Sequence, residues 1–145
     1  DRLAEMGAAL LIQSLPAFLG GTLVTVSQDD SQSTYARKIT KQDGRIDWTQ
    51  PATNIHSQWR ALTPWPGIYT ELPTEKNRLL KIQATDISPA NGNAGEVLSA
   101  DENGVLVGCG KQSLNLIKFQ REGGRPLNAA EFLNGCPLQV GQQLG

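Results

Sequence analysis

The residues that could do chemistry are few and scattered. One histidine (His56), two cysteines (Cys109 and Cys136) and two short carboxylate pairs, Asp29-Asp30 and Asp101-Glu102, are the groups that invite a catalytic or metal reading. One imidazole and two distant thiols fall short of the ligand set and spacing of a zinc site. The thiols belong to no Cys-x-x-Cys motif and read as ordinary reduced residues. There is no Gly-x-Ser-x-Gly elbow to strain a serine nucleophile, and no glycine-rich motif to cradle phosphates. The acidic pairs lie in polar, turn-like stretches, without the apolar surroundings that would raise a carboxyl pKa for acid–base work. His56 stands four residues before Arg60 in a helical pattern and reads as a helix-flank imidazole. The residues alone therefore offer no catalytic or metal site.

Positive charge is the more informative signal. The 145 residues carry 13 Lys and Arg against 14 Asp and Glu, a near-neutral total that hides a segregated pattern. Residues 34–62 hold Arg37, Lys38, Lys41, Arg45 and Arg60 against only Asp43 and Asp47, and residues 111–125 hold Lys111, Lys118, Arg121 and Arg125 against Glu122. Between them, residues 82–110 contain Asp86, Glu96, Asp101 and Glu102 and no Lys or Arg. The near-neutral total thus hides a basic linker and a charge distribution that is uneven along the chain. Each cation also has an ordinary use as outer-face solvation, Arg60 near a helix C-terminus and Arg45 beside Asp43 and Asp47 above all.

The elements that must position these charges follow from periodicity. Leu3, Met6, Leu10, Leu11, Leu15, Phe18 and Leu19 recur at helical spacing up to Gly20-Gly21, and the polar run 28–33 follows. An apolar stripe followed by a linker reads as the last element of a preceding domain, so the chain is expected to be a C-terminal piece of a longer protein. Ile55, Trp59 and Leu62 form a second helical stripe, predicted over about 50–62 with Thr49 as N-cap, Pro51 in the first turn and Pro64 as the stop. Trp48, Trp59 and Trp65 cluster around that helix and read as core or domain-packing residues and not as base-stacking platforms; the pattern assigns no side to Tyr69 or Phe119.

Beyond Gly67 the period changes from 3.6 to 2. Leu80, Ile82 and Ala84 alternate with Lys81, Gln83 and Thr85, and Ile68 to Leu72 should pair with them. Asn103-Gly104 between apolar runs predicts a hairpin. The alternation slips at Leu116-Ile117, which predicts a bulge or corner. Asn128 should cap a short final helix ended by Asn134-Gly135. Five short antiparallel strands with a leading and a trailing helix make an α+β, mainly β unit built on a small barrel or strongly curled sheet. With no apolar run long enough to span a bilayer and no secretory-type start, a soluble chain inside the cell is expected.

Three motifs carry a resemblance: Tyr35-Ala36-Arg37-Lys38-Ile39-Thr40-Lys41, Gly44-Arg45-Ile46-Asp47-Trp48 and Arg60-Ala61-Leu62-Thr63-Pro64-Trp65-Pro66-Gly67. In these the chain resembles the linker and C-terminal domain of the methionyl-tRNA formyltransferases. Gly95-Glu96-Val97-Leu98 is similar to the family's PGxIL strand, Leu114-Asn115-Leu116 to its LxL strand, and residues 127–135 to its final short helix. The resemblance runs from the Leu3-Ala4-Glu5-Met6-Gly7 helix, similar to the last helix of the catalytic domain, to Leu144. It implies residues 1–20 as that last helix, 21–47 as linker and 48–145 as an OB-like antiparallel barrel that binds tRNA.

The resemblance further implies a cytoplasmic, monomeric parent enzyme of translation initiation. Such an enzyme moves a formyl group from 10-formyltetrahydrofolate to the amino group of the initiator Met-tRNA. Its catalytic and folate-binding residues lie in an N-terminal domain, so no catalytic, cofactor or metal residue is expected in this chain. Asn54-Ile55-His56-Ser57 mimics the family's catalytic NxHxS, but Gln58-Trp59 stands where the family continues with LLP, and the position falls in the wrong domain. The expected RNA-facing residues are Arg37, Lys38, Lys41, Arg45, Arg60, Lys118, Arg121 and Arg125, acting mainly on phosphates. Two other uses of the same module stay open. One is a formyltransferase of the amino-sugar-nucleotide or formyltetrahydrofolate hydrolase or dehydrogenase type; the other is a non-catalytic structural barrel. The basic linker and Arg-Ile-Asp-Trp lean toward the tRNA enzyme.

Overall fold

A computed structural model describes residues 2–73 and 79–145. The chain divides into two compact units, Asp1–Arg37 and Lys38–Gly145. The first contains helix α1 (Arg2–Leu19), followed by a single 3-10 turn at Asp30–Gln32 that Asp29 caps by accepting from the Ser31 backbone N–H at 3.0 Å. The apolar stripe does form a helix, and none of its residues is buried.

The second unit holds the core. It runs through a 3-10 turn (Lys41–Gly44), helix α2 (Ala52–Leu62), strands β1 (Ile68–Glu71), β2 (Leu79–Ser88), β3 (Val97–Asp101), β4 (Gly104–Gly108), β5 (Ser113–Arg121) and β6 (Pro126–Asn128), and helix α3 (Ala129–Gly135). All pairings within the sheet are antiparallel, in the order β1-β2-β5-β4-β3, with β6 added to β5. The α+β, mainly β architecture read from the sequence is present. Among the described residues it has six strands instead of five, because the three residues of β6 are too few to show alternation.

The irregularity anticipated at Leu116-Ile117 is real and has a partner. Ala84 pairs with Lys118 and Thr85 with Leu116, so Ile117 is passed over; on the facing strand the register steps from Ile82 to Ala84 past Gln83. Such paired slips bend strands and raise the local twist, which curls the sheet around Leu80, Ile82, Leu114, Leu116 and Phe119, each at most 2% exposed. Phe119 stacks on Phe132 of α3 at 4.6 Å between ring centroids. By strand pairing the sheet is open, and both edges receive the same C-terminal segment. The Val97 N–H donates to the Gln142 carbonyl (2.8 Å) on the β3 side, and the Gly145 N–H to the Glu71 carbonyl (3.2 Å) on the β1 side.

Local detail departs from expectation at the start of α2. The helix begins at Ala52 with Pro51 as its N-cap residue, not Thr49. Thr49 is used one step earlier: its backbone N–H and hydroxyl donate to Asp47 Oδ1 at 3.0 and 2.7 Å. These bonds hold the exposed Asp47 carboxyl below the usual carboxylate range, the Thr49 hydroxyl contributing most. The Gly110 N–H, donating to the Trp48 and Gln50 carbonyls at 3.0 Å each, then fastens this entry loop to the β4–β5 turn.

Candidate functional site

The site is built where the 3-10 turn, the Pro-Trp-Pro loop and three strands meet. Lys41 opens the turn. Asp43 Oδ2 accepts from the Thr40 backbone N–H (2.7 Å) and hydroxyl (3.0 Å), closing it on itself. Gln58 of α2 donates to the Asp43 and Arg45 carbonyls at 2.7 and 3.2 Å, so the helix grips the turn. Gly44 lies so close to the Gly67 carbonyl that no side chain fits there, which sets Lys41 beside the loop at 63–66.

In that loop two prolines fix φ on either side of Trp65, and both Xaa-Pro bonds are cis. Pro66 is buried, whereas Trp65 is 57% exposed. Two of the three indoles thus pack in or against the core, and Trp65 does not. Trp48 is buried and donates from Nε1 to Thr70 Oγ1 at 3.1 Å; Trp59 is half-buried and donates to the Gln83 carbonyl at 3.2 Å. Trp65 sits after the stop of the helix, where helical spacing no longer dictates a face.

Strand register supplies the rest. Tyr69 of β1 faces Lys81 of β2, which faces Gln120 of β5, so three side chains form one row across the sheet. Their neighbours Ile68, Leu80, Ile82 and Phe119 point into the core. Gln120 is held at both ends, accepting from Gln83 Nε2 (2.7 Å) and donating to the Gly124 carbonyl (2.9 Å). Together Lys41, Trp65, Tyr69, Lys81, Gln120 and Arg121 line a groove of about 370 Å³.

Of the eight cations expected to face RNA, the structure brings Lys41 and Arg121 into this groove. Arg121 also lies 5.9 Å over the Phe132 ring, with Nη2 3.5 Å from the Gly135 carbonyl. Arg45 is ion-paired with Glu71 at 3.0 Å, because the chain at 45–46 lies along β1. Arg125 pairs with Glu131 at 2.9 Å. Arg60 is exposed in the last turn of α2 and Lys118 is exposed on β5, opposite Asn128 of β6. Arg37 closes the first unit and Lys38 opens the second. Lys81 belongs with the groove yet was not among the expected cations. Alternation marks it as outward-facing, but only the register shows what stands beside it.

His56 lies in α2 with Nδ1 2.9 Å from Thr85 Oγ1 and its ring 5.2 Å from that of Trp59. Cys109 and Cys136 are free and buried, and burial pushes the Cys109 thiol up to about 11. Among the described residues no group of three or more His, Cys, Asp or Glu is placed to hold a metal ion, and no helix is long and apolar enough to cross a membrane.

A curled antiparallel sheet with one helix before it and one after it is the layout of a formyltransferase C-terminal module. The family model described as formyl transferase, C-terminal domain, matches residues 38–137, and the chain belongs to that family. Among curated relatives, proteins named methionyl-tRNA formyltransferase are similar to it: one from Geobacter sulfurreducens is 40% identical over 145 residues, all of this chain and 45% of that protein. One from Pseudomonas savastanoi pv. phaseolicola is 41% identical over 134 residues, 92% of this chain and 42% of that protein. The chain thus spans less than half the length of the curated relatives it matches. Among solved structures, a multiply substituted variant of HypX from Aquifex aeolicus superposes with a TM-score of 0.62 at 18% identity, over 92% of this chain and 24% of that one. HypX in complex with tetrahydrofolic acid superposes at 0.58, over 93% and 26%. These superpositions establish the fold.

Proposed function

We propose that this chain is the tRNA-holding part of a methionyl-tRNA formyltransferase. In this reading the N-terminal helix belongs to a catalytic domain, and residues 21–47 link it to the RNA-holding module. The observation that carries it is identity of about 40% along the whole chain to proteins of that name. The donor is then 10-formyltetrahydrofolate, whose formyl carbon is attacked by the neutral methionyl amino group; the bond to the folate nitrogen breaks, and the proton lost by the amine is matched by the one the folate nitrogen takes up as tetrahydrofolate leaves. Those steps belong to a domain that the chain does not include, and the HypX–tetrahydrofolic acid relative suits a folate donor.

The chain's own contribution is electrostatic. Folded RNA is held chiefly through phosphates and 2′-hydroxyls, so cations on a rigid scaffold both orient it and draw it in. Lys38, Lys41, Lys118 and Arg121 act on phosphates with Arg37 and Arg60. Arg45 and Arg125 present guanidinium groups already oriented by Glu71 and Glu131. The test is titration with initiator tRNA across a salt series, beside a variant with Lys38, Lys41, Lys118 and Arg121 changed to Ala. Binding should weaken steeply with salt, and the logarithmic slope should flatten by roughly 0.7 to 0.9 for each phosphate that the variant no longer neutralises. Absence of binding at low salt would refute the reading.

A further inference from the structure

The Trp65 groove has features that phosphate holding does not use. A phosphate-only surface needs cations and donors, yet here the most exposed indole of the chain stands at the centre of them, backed by buried Pro66 and by half-buried Tyr69. The prolines on either side restrict the loop, so the indole is offered on a restrained backbone. Lys81 runs along the same wall: a Cβ placed on Gly67 would lie 3.7 Å from its ammonium nitrogen. Lys41 comes from a different element, the 3-10 turn, and Arg121, next to Gln120 at the end of β5, also lines the groove; among the described residues Glu122 is the one acidic group lining it. An aromatic face ringed by positive charge is the arrangement by which single-stranded nucleic acid is gripped, bases stacking on the ring and the backbone following the cations. The volume of about 370 Å³ lies at the small end of ligand pockets, roughly 300–1,000 Å³, as befits one base with its sugar.

We propose that this groove takes one unpaired nucleotide of the bound RNA, its base stacked on Trp65 and its flanking phosphates held by Lys81 and Lys41. The assignment rests on the RNA-holding reading above and goes beyond it, because it separates a base contact from the phosphate contacts. Stacking does not depend on salt, whereas phosphate neutralisation does, so the two kinds of residue leave different signatures.

The experiment titrates the whole chain and the variants W65A, W65F and K41A/K81A with three RNAs over a salt series: initiator tRNA, a short single-stranded adenylate oligomer, and a fully paired duplex. W65A should weaken binding to the tRNA and the oligomer by roughly tenfold, with an unchanged salt slope, and leave the duplex unaffected. W65F should recover most of the loss, which also separates lost stacking from a disturbed fold. K41A/K81A should flatten the slope for all three RNAs. Equal tRNA affinity for W65A and the unsubstituted chain overturns the stacking site while leaving tRNA holding intact. Binding of the oligomer through Trp65 without binding of tRNA upholds the groove and removes the tRNA reading. Failure to bind any of the three overturns both.

Discussion

Single side chains inside the second unit carry contributions that can be separated. Thr70 is 1% exposed and its hydroxyl receives the Trp48 indole N–H at 3.1 Å. Thr70→Val keeps the shape and strands that N–H, which costs about 1–3 kcal/mol; the urea midpoint should fall with little change in m-value, and Thr70→Ser should restore most of it. Cys109 gives a pH signature. Its thiol is raised from 9.0 to about 11 by burial, so above pH 9 the unfolded chain ionises while the folded one does not. Stability associated with this group is complete below pH 9 and falls as the pH rises toward 11, by at most about 1.4 kcal/mol per pH unit. Comparing unfolding free energies of the unsubstituted chain and Cys109→Ala across that window isolates the effect; identical slopes would disprove it.

At the scale of elements, the best-specified helix is the shortest. Asn128 accepts from the Glu131 backbone N–H at 2.9 Å and Glu131 returns a bond to the Asn128 N–H at 3.1 Å, a capping box that Arg125 reinforces. Asn128→Ala should cost about 1 kcal/mol, read from thermal or urea unfolding. The Arg125 bond, with the Asn128 N–H, also holds the Glu131 carboxyl below its ordinary 4.5. Its contribution is present above that value and is lost as the pH falls through the lower folded value. Arg125→Ala should move the Glu131 titration upward in a carboxyl NMR experiment. This helix, the Asn103-Gly104 hairpin and the Leu80/Ile82 alternation were legible in the sequence because their determinants are local. Trp65, Lys81 and the Arg45–Glu71 pair were not, because each acquires its meaning from a neighbour brought in by register or by loop packing. The entry to α2 was misread for a subtler reason: Thr49 is a good cap residue, but Asp47, two positions earlier, already engages both its donors.

For the molecule as a whole, the division at Arg37 makes a direct prediction. Among the described residues the buried apolar core lies entirely between Ile46 and Leu144, so removing residues 1–37 should leave the calorimetric melting of Lys38–Gly145 within a degree or two, on the order of experimental scatter. The same truncation should lower the salt slope of RNA binding by roughly the one phosphate that Arg37 neutralises. A large drop in melting temperature would mean that the helix is integral to the second unit.

The segment at the end of the sheet bears on how the chain comes into being. Leu138 and Leu144 are buried at 7% and 4% exposure, and residues 141–145 hydrogen-bond to Gly95 and Val97 on one side and to Glu71 on the other. The strap that ties β3 to β1 thus comes after every strand in the sequence, so the two edges cannot be tied until all six strands have been made. Until those last bonds form, the sheet exposes the donors and acceptors of both edges, the state in which strands recruit foreign partners. The module's exposure to misassembly thus extends from the pairing of its strands to the docking of residues 141–145.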